Sequence, residues 1–231
     1  MKLCIIGNSH VGALKRAWNQ MEGSYSGTKI DFFAHRGDGM ADLVVDGARL
    51  VANNRVLRDA MHFTSGGKDF IEPAAYDCIL VYALGLKSYH GLSAQGVSAR
   101  VKELAAGDGV RSSVSFGVME KIRRISDKKI HLGHAPLPAA EEVTTRNKPS
   151  GYFAGVRFLN EKIFGALNSE LVAQPRATIV NSRNTDPEFT KSSKRLEIGD
   201  KLDGKLHPEY DASHMNDEFG RIWLSGFFKM I

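Results

Sequence analysis

Cysteine is nearly absent: the 231 residues contain two, Cys4 and Cys78. Both lie in apolar runs that read as strands, so buried free thiols are expected and no disulfide framework. That usage suits a reducing compartment, and a cytoplasmic location is the expectation. The chain also lacks an apolar stretch long enough to span a bilayer. It enters a strand-like run within three residues of Met1, without the h-region or small-residue cleavage site of a secretory leader, so none is expected. The formal net charge is +5, yet no run of Lys and Arg is long enough to argue for nucleic acid. A polyanionic substrate remains compatible with that charge. No repeat and no linker divides the chain, and one domain over 1–231 is expected. At 42% hydrophobic and 25% charged residues, the composition is that of a globular protein able to bury a core without crosslinks.

Two familiar glycine motifs are missing as well. Gly7-x4-Gly12 has the spacing of a phosphate-binding loop, but Ala13 and Leu14 follow where Lys and Ser/Thr are required. The G-x-S-x-G nucleophile elbow fails because Val11 takes the last glycine position. What the opening does hold is the run Leu3-Cys4-Ile5-Ile6, broken by Gly7 and followed by Asn8-Ser9-His10. From Val11 the pattern reads as a helix. Ser9 thus falls where a buried strand becomes a helix N-terminus, whose unpaired N–H groups favour negative charge. A nucleophile whose attack creates an oxyanion would gain there; a serine that merely caps the helix would fit the same place.

Apolar runs at 2–6, 29–34, 78–83, 129–133 and 177–180 predict five parallel strands. Helices are predicted after the first strand, over 93–106 and 114–126, over Ser150 to Val172, and from His214 or Met215 to the end. Residues 43–64 stand apart. Asp46-Gly47 between short apolar runs suits a type I′ hairpin turn, Asn53-Asn54 offers a second turn, and Val56 to Phe63 a third strand, making a small antiparallel insertion. From Asn181 to Tyr210 the chain is polar and irregular, and a loop of that length is usually functional or mobile. The alternation of elements defines an α/β class with a mostly parallel sheet.

Near the C-terminus stands Asp211-Ala212-Ser213-His214, just before the last predicted helix. Three residues apart in a turn, the carboxylate can hold one imidazole nitrogen and leave the other free as a base. Opposed to Ser9, this supplies nucleophile, base and orienting group. Asp211 and His214 as a helix cap and a surface histidine are the bland alternative.

Gly7-Asn8-Ser9 after the first strand and Asp-x-x-His before the last helix, in the order Ser, Asp, His, resemble the SGNH (GDSL-like) hydrolase family. The resemblance implies a three-layer α/β/α sandwich with a flavodoxin-like parallel sheet ordered 2-1-3-4-5. It implies a triad of Ser9, His214 and Asp211 acting through an acyl-enzyme. The Ser9 N–H and a glycine after the second strand would form the oxyanion hole, with Gly37 slightly preferred to Gly39. The family's Gly-x-Asn block meets Gly85-Leu86-Lys87, so Lys87 replaces the asparagine. A lysine there could stabilise an oxyanion as a point charge, grip an acidic substrate, or face solvent.

Asn8 and His10 are candidate cleft residues, although His10 could equally face solvent in the first helical turn. His90 and His207 lie in loops and could line a cleft. His131-x-x-His134 has a metal-like spacing, but on a strand the two residues face opposite ways; no metal and no cofactor are expected. The implied function is hydrolysis of an O-acyl ester, small or glycan-borne. Its rivals are an O-acyltransferase acting on a glycan, and a non-catalytic carbohydrate- or polyanion-binding domain of the same fold.

Overall fold

The computed structural model describes residues 1–143 and 148–231. The chain opens with β1 (Lys2–Gly7), α1 (Val11–Met21) and β2 (Lys29–Ala34). A side unit follows: β3 (Leu43–Asp46), β4 (Arg49–Ala52), α2 (Arg55–Ser65) and β5 (Phe70–Ile71). Then come β6 (Cys78–Tyr82), α3 (Ala99–Arg111), α4 (Val114–Arg123) and β7 (Ile130–Gly133). The chain ends with α5 (Ser150–Leu159), β8 (Ser169–Val172) and α6 (Asp217–Phe228).

Five of the strands form one parallel sheet in the order β2-β1-β6-β7-β8. Numbered along the parallel strands alone, that is 2-1-3-4-5. Successive side chains of a strand face opposite sides, so the sheet carries two apolar cores. Cys4, Ile6, Phe33, Ile79, Val81, Ile130 and Leu132 face α2, α4 and α5. Leu3, Ile5, Phe32, Leu80 and Tyr82 face α1 and α6. Both cysteines are buried and free. α1 and α6 approach closely because Gly220 has no side chain: a Cβ there would lie 2.2 Å from the Ala13 carbonyl oxygen. Leu14, Trp18, Phe219 and Trp223 seal this layer, each worth about 1.5–3 kcal/mol of transfer free energy. Among the described residues no helix is long and apolar enough to cross a membrane.

Several elements differ from expectation, each for a physical reason. The fifth strand of the sheet is Ser169–Val172, not 177–180. The predicted helix over Ser150 to Val172 ends α-helical at Leu159, passes through a π turn (Asn160–Phe164), and stops at Asn168 in the left-handed conformation. The Asn160 amide then clasps the new strand, accepting from Leu171 N at 2.7 Å and donating to Leu171 O at 3.0 Å. Pro175 cuts this strand off. Residues 176–178 make a 3-10 turn, and Ile179 pairs only with Thr185 across a tight loop.

In the side unit, Val56 to Phe63 belongs to a helix. The Asn54 side chain caps it by accepting from Leu57 N, and Leu57, Ala60, Met61 and Thr64 bury one helical face. The third strand of that sheet is Phe70–Ile71. The hairpin turn is Gly47-Ala48, closed by Asp46 opposite Arg49. Only its first central residue, Gly47, has positive φ, the pattern of a II′ rather than a I′ turn. α3 begins at Ala99, capped by Ser98, later than expected. α6 begins at Asp217, capped by Asn216, so His214 lies outside the helix.

Candidate active site

Gly7 ends β1 level with Ala34 of β2 and Tyr82 of β6. The three turns that follow therefore leave the same edge of the sheet side by side, at the C-terminal ends of parallel strands, where such folds bind ligands. Gly7 itself is dictated by packing: a Cβ would meet Val11 Cγ2 at 2.3 Å and the Tyr82 carbonyl oxygen at 2.8 Å. The first helical bonds of α1 run to the carbonyls of Asn8 and Ser9. The helix has no side-chain cap, so Ser9 Oγ is not spent on its N-terminus. It lies instead 2.9 Å from His214 Nε2.

His214 and Asp211 reach Ser9 because the segment before α6 is tied down from three sides. Arg36, in the turn after β2, donates to the Leu196 carbonyl at 2.9 Å and pairs with Asp200 and Asp203. Arg16 of α1 pairs with Asp217 at 2.7 Å. The Asn216 side chain donates to the carbonyls of Glu188 and Lys191. The irregular stretch from 181 to 210 is thus a fixed strap.

His214 Nδ1 lies 2.8 Å from Asp211 Oδ2, while Asp211 Oδ1 accepts from Ser213 N at 2.8 Å and His214 N at 3.0 Å. Burial alone would raise the Asp211 carboxyl, but the Ser213 N–H and the ring and N–H of His214 outweigh it and hold it at about 2. Asp211 is therefore an anion at neutral pH. It fixes His214 with its proton on Nδ1 and leaves Nε2 as a lone-pair acceptor toward Ser9.

The His214 ring is covered on both faces. His207 stacks on one at 3.8 Å between centroids and 10° between planes, and His10 on the other at 4.8 Å and 19°. His207 Nδ1 also lies 3.1 Å from Asp211 Oδ2. Burial, then the neighbouring His214, pushes His10 down to about 3 and His207 down to about 4. Two neutral rings thus flank the one imidazole that can reach Ser9. His10 Nδ1 and His207 Nε2 are buried without a hydrogen-bond partner. Among the described residues, His207, Asp211 and His214 are the group close enough to hold a metal ion. The two rings, however, are stacked in parallel and aim both Nδ1 atoms at the same oxygen, Asp211 Oδ2, at their edge.

The remaining candidates separate. Gly37 has φ +62 and open space where a Cβ would be, whereas a Cβ at Gly39 would run into the His35 ring at 2.2 Å. Beside Ser9 opens a cleft of about 660 Å³, walled among others by His10, Lys87, His90, Leu137, Arg183 and Ser213. Asn8 is buried, accepts from His10 N through its amide oxygen, and is not part of this wall. Lys87 is exposed and makes no hydrogen bond to Ser9 or His214. His131 packs edge-on against Phe227 on the α6 side, and His134 bonds Tyr152 Oη at 2.7 Å on the α5 side. His207 and Arg183 carry no sequence signal for their places: neither lies in a motif, and only the strap brings them in.

Fold and site together define a doubly wound α/β sandwich with a linked Ser–His–Asp array at the sheet's C-terminal edge. Among solved structures, the chain is similar to the periplasmic domain of a lipopolysaccharide acetyltransferase from Salmonella ser. Paratyphi A. The identity is 13% and the TM-score 0.47, over 99% of this chain and 82% of that one. No protein-family model and no curated protein sequence matches the chain.

Proposed function

We propose that the protein is a serine-dependent ester hydrolase of the SGNH type acting on an O-acyl ester. The observation that carries this reading is the continuous chain Ser9 Oγ, His214 Nε2, His214 Nδ1, Asp211 Oδ2, with links of 2.9 and 2.8 Å. In the first step Ser9 Oγ bonds to the ester carbonyl carbon while its proton passes to His214 Nε2. The tetrahedral intermediate collapses, the C–O bond to the alcohol breaks, and His214 returns the proton to the leaving oxygen. Water then attacks the acyl-enzyme, giving its proton to His214. As the acid leaves, the proton returns to Ser9. The imidazolium formed midway sits between the faces of His10 and His207, both neutral. The oxyanion is met by backbone donors, the N–H of Ser9 and of Gly37 or Gly39 in the turn after β2.

A fluorophosphonate probe followed by peptide mapping tests this. Labelling is expected at Ser9 and lost in Ser9→Ala and in His214→Ala. Hydrolysis of a short acyl ester should fall to near background in either variant, with the double variant little worse, because such residues act as a unit. Undiminished turnover in Ser9→Ala overturns the reading. So does a wild-type chain that binds sugars yet neither labels nor hydrolyses, which would make it a binding domain. Transfer of the acyl group to an added sugar hydroxyl in preference to water would make it an acyltransferase through the same acyl-enzyme.

A further inference from the structure

The cleft beside Ser9 is built on one side by a turn of unusual backbone. Directly after β6, Ala83, Leu84 and Gly85 have φ of 63°, 46° and 75°. Left-handed conformations disfavour a non-glycine residue, and such strain persists only where surrounding structure enforces it. Here Ala83 N donates to Gly133 O, Ser115 N to Leu84 O, and Ala135 N to Leu86 O. The turn drives Leu86 into the core, 1% exposed, and leaves its neighbour Lys87 on the cleft wall. From the strap, Arg183 reaches the same wall, and its backbone N–H is fixed by the Asn181 side chain at 2.8 Å.

The charge of this wall is one-sided. Lys87 and Arg183 line the cleft, and among the described residues no Asp or Glu does. Neither cation has an ion-pair partner among the described residues, whereas Arg36, Lys129, Lys191 and Arg221 are all paired with carboxylates. His90 stands beside them, its Nε2 2.8 Å from Ser88 Oγ. Burial and then the charge of Arg183 push its imidazole down, so that charge is felt inside the cleft. Uncompensated cations in a concave site raise the local concentration of anions. The reactive pair borders this cleft through its chain neighbours: His10 and Ser213 line it, and the His10 ring stacks on His214 at 4.8 Å.

We propose that the cleft selects acyl esters that carry an anionic group, held by Lys87 and Arg183 while the acyl carbon lies at Ser9. The inference rests on the hydrolase reading above and names its substrate class. A carboxylate and a phosphate share the chemistry that a guanidinium fork and an ammonium recognise.

Three acetate esters that differ only at one position separate the possibilities: the 2-O-acetyl derivatives of methyl glucoside, of methyl glucuronoside, and of methyl glucoside 6-phosphate. At low salt, kcat/KM on at least one anionic ester is expected to exceed that on the neutral one by about tenfold to a hundredfold. Whichever anion is favoured identifies the source. Lys87→Gln and Arg183→Gln are each expected to shrink that ratio, chiefly through KM, and 0.5 M NaCl should do the same by screening. Equal turnover of all three esters, with a ratio that neither substitution nor salt moves, overturns the proposal. A Lys87→Gln loss of kcat that is equal on all three esters overturns the part of Lys87, since it would then act on the reacting oxygen. Calorimetry of Ser9→Ala with the deacetylated sugars keeps the two readings apart. Tighter binding of the anionic sugars by a chain whose parent never labels sustains the cleft and sinks the hydrolase. Labelling without any anion preference does the reverse.

Discussion

Asp211→Asn is the perturbation whose consequence the geometry dictates most tightly. Asp211 Oδ1 accepts two backbone N–H groups, from Ser213 and His214, and Oδ2 faces His214 Nδ1. An asparagine has one acceptor end and one donor end. Turning its oxygen toward the ring would set its NH2 against two N–H donors, at a cost of about 1–3 kcal/mol for each donor left unpaired. The amide oxygen therefore takes the Oδ1 place and the NH2 faces His214 Nδ1. The ring must then accept at Nδ1 and carry its proton on Nε2, pointed at Ser9 Oγ. In that tautomer it cannot take the serine proton. Loss of the correct tautomer costs about 10⁴ in kcat in a serine-protease triad, and a fall of about that size is expected here, with KM little changed. Ester hydrolysis and fluorophosphonate labelling rates measure it, and nitrogen-15 shifts of the imidazole should report Nε2–H in place of Nδ1–H. Activity within tenfold of the parent, or an Nδ1–H that persists in the variant, would refute the reasoning.

Two further predictions concern stability. Burial drives His134 down to about 4 despite the Ala135 carbonyl that favours its charged form, and His10 and His207 are held at about 3 and 4. Below the ordinary value of 6.5 the unfolded chain binds protons that the folded chain refuses. Stability should therefore be fully present above pH 6.5 and fall steadily toward pH 4, with the fully buried His134 contributing on the order of 1 kcal/mol per pH unit. Urea unfolding at pH 7 and pH 5 measures the slope, and His134→Gln should flatten it; a midpoint indifferent to pH in this window would contradict the assignment. Gly220→Ala must force α6 away from the Ala13 carbonyl, with an expected loss of about 1–3 kcal/mol and a Tm lower by about 2–12 °C. An unchanged Tm would mean that the two helices are not held at this distance.

Much of the scaffold was written locally. A strand buried on both faces needs an unbroken apolar run, and Leu3-Cys4-Ile5-Ile6 and Cys78 to Tyr82 could satisfy little else. Asp-x-x-His needs only a turn to bring carboxylate and imidazole together, so Asp211 and His214 could be paired from their spacing. Where two short apolar runs compete, local pattern has no vote. Leu171-Val172 became the edge strand, and Ile179-Val180 did not, because Asn160 clasps the one and the 3-10 turn that follows Pro175 turns the other aside to pair with Thr185. Helical spacing was present in Leu57, Ala60, Met61 and Thr64, but it became decisive only with a sheet face to bury it against. The surroundings of His214 belong wholly to tertiary structure. His10 comes from the turn after β1 and His207 from the strap. Lys87 arrives through a left-handed turn, and Arg183 from a polar stretch of no marked character. Side chains so far apart along the chain meet only after the sheet and its helices have closed. Spacing along the sequence therefore carries no record of their contact.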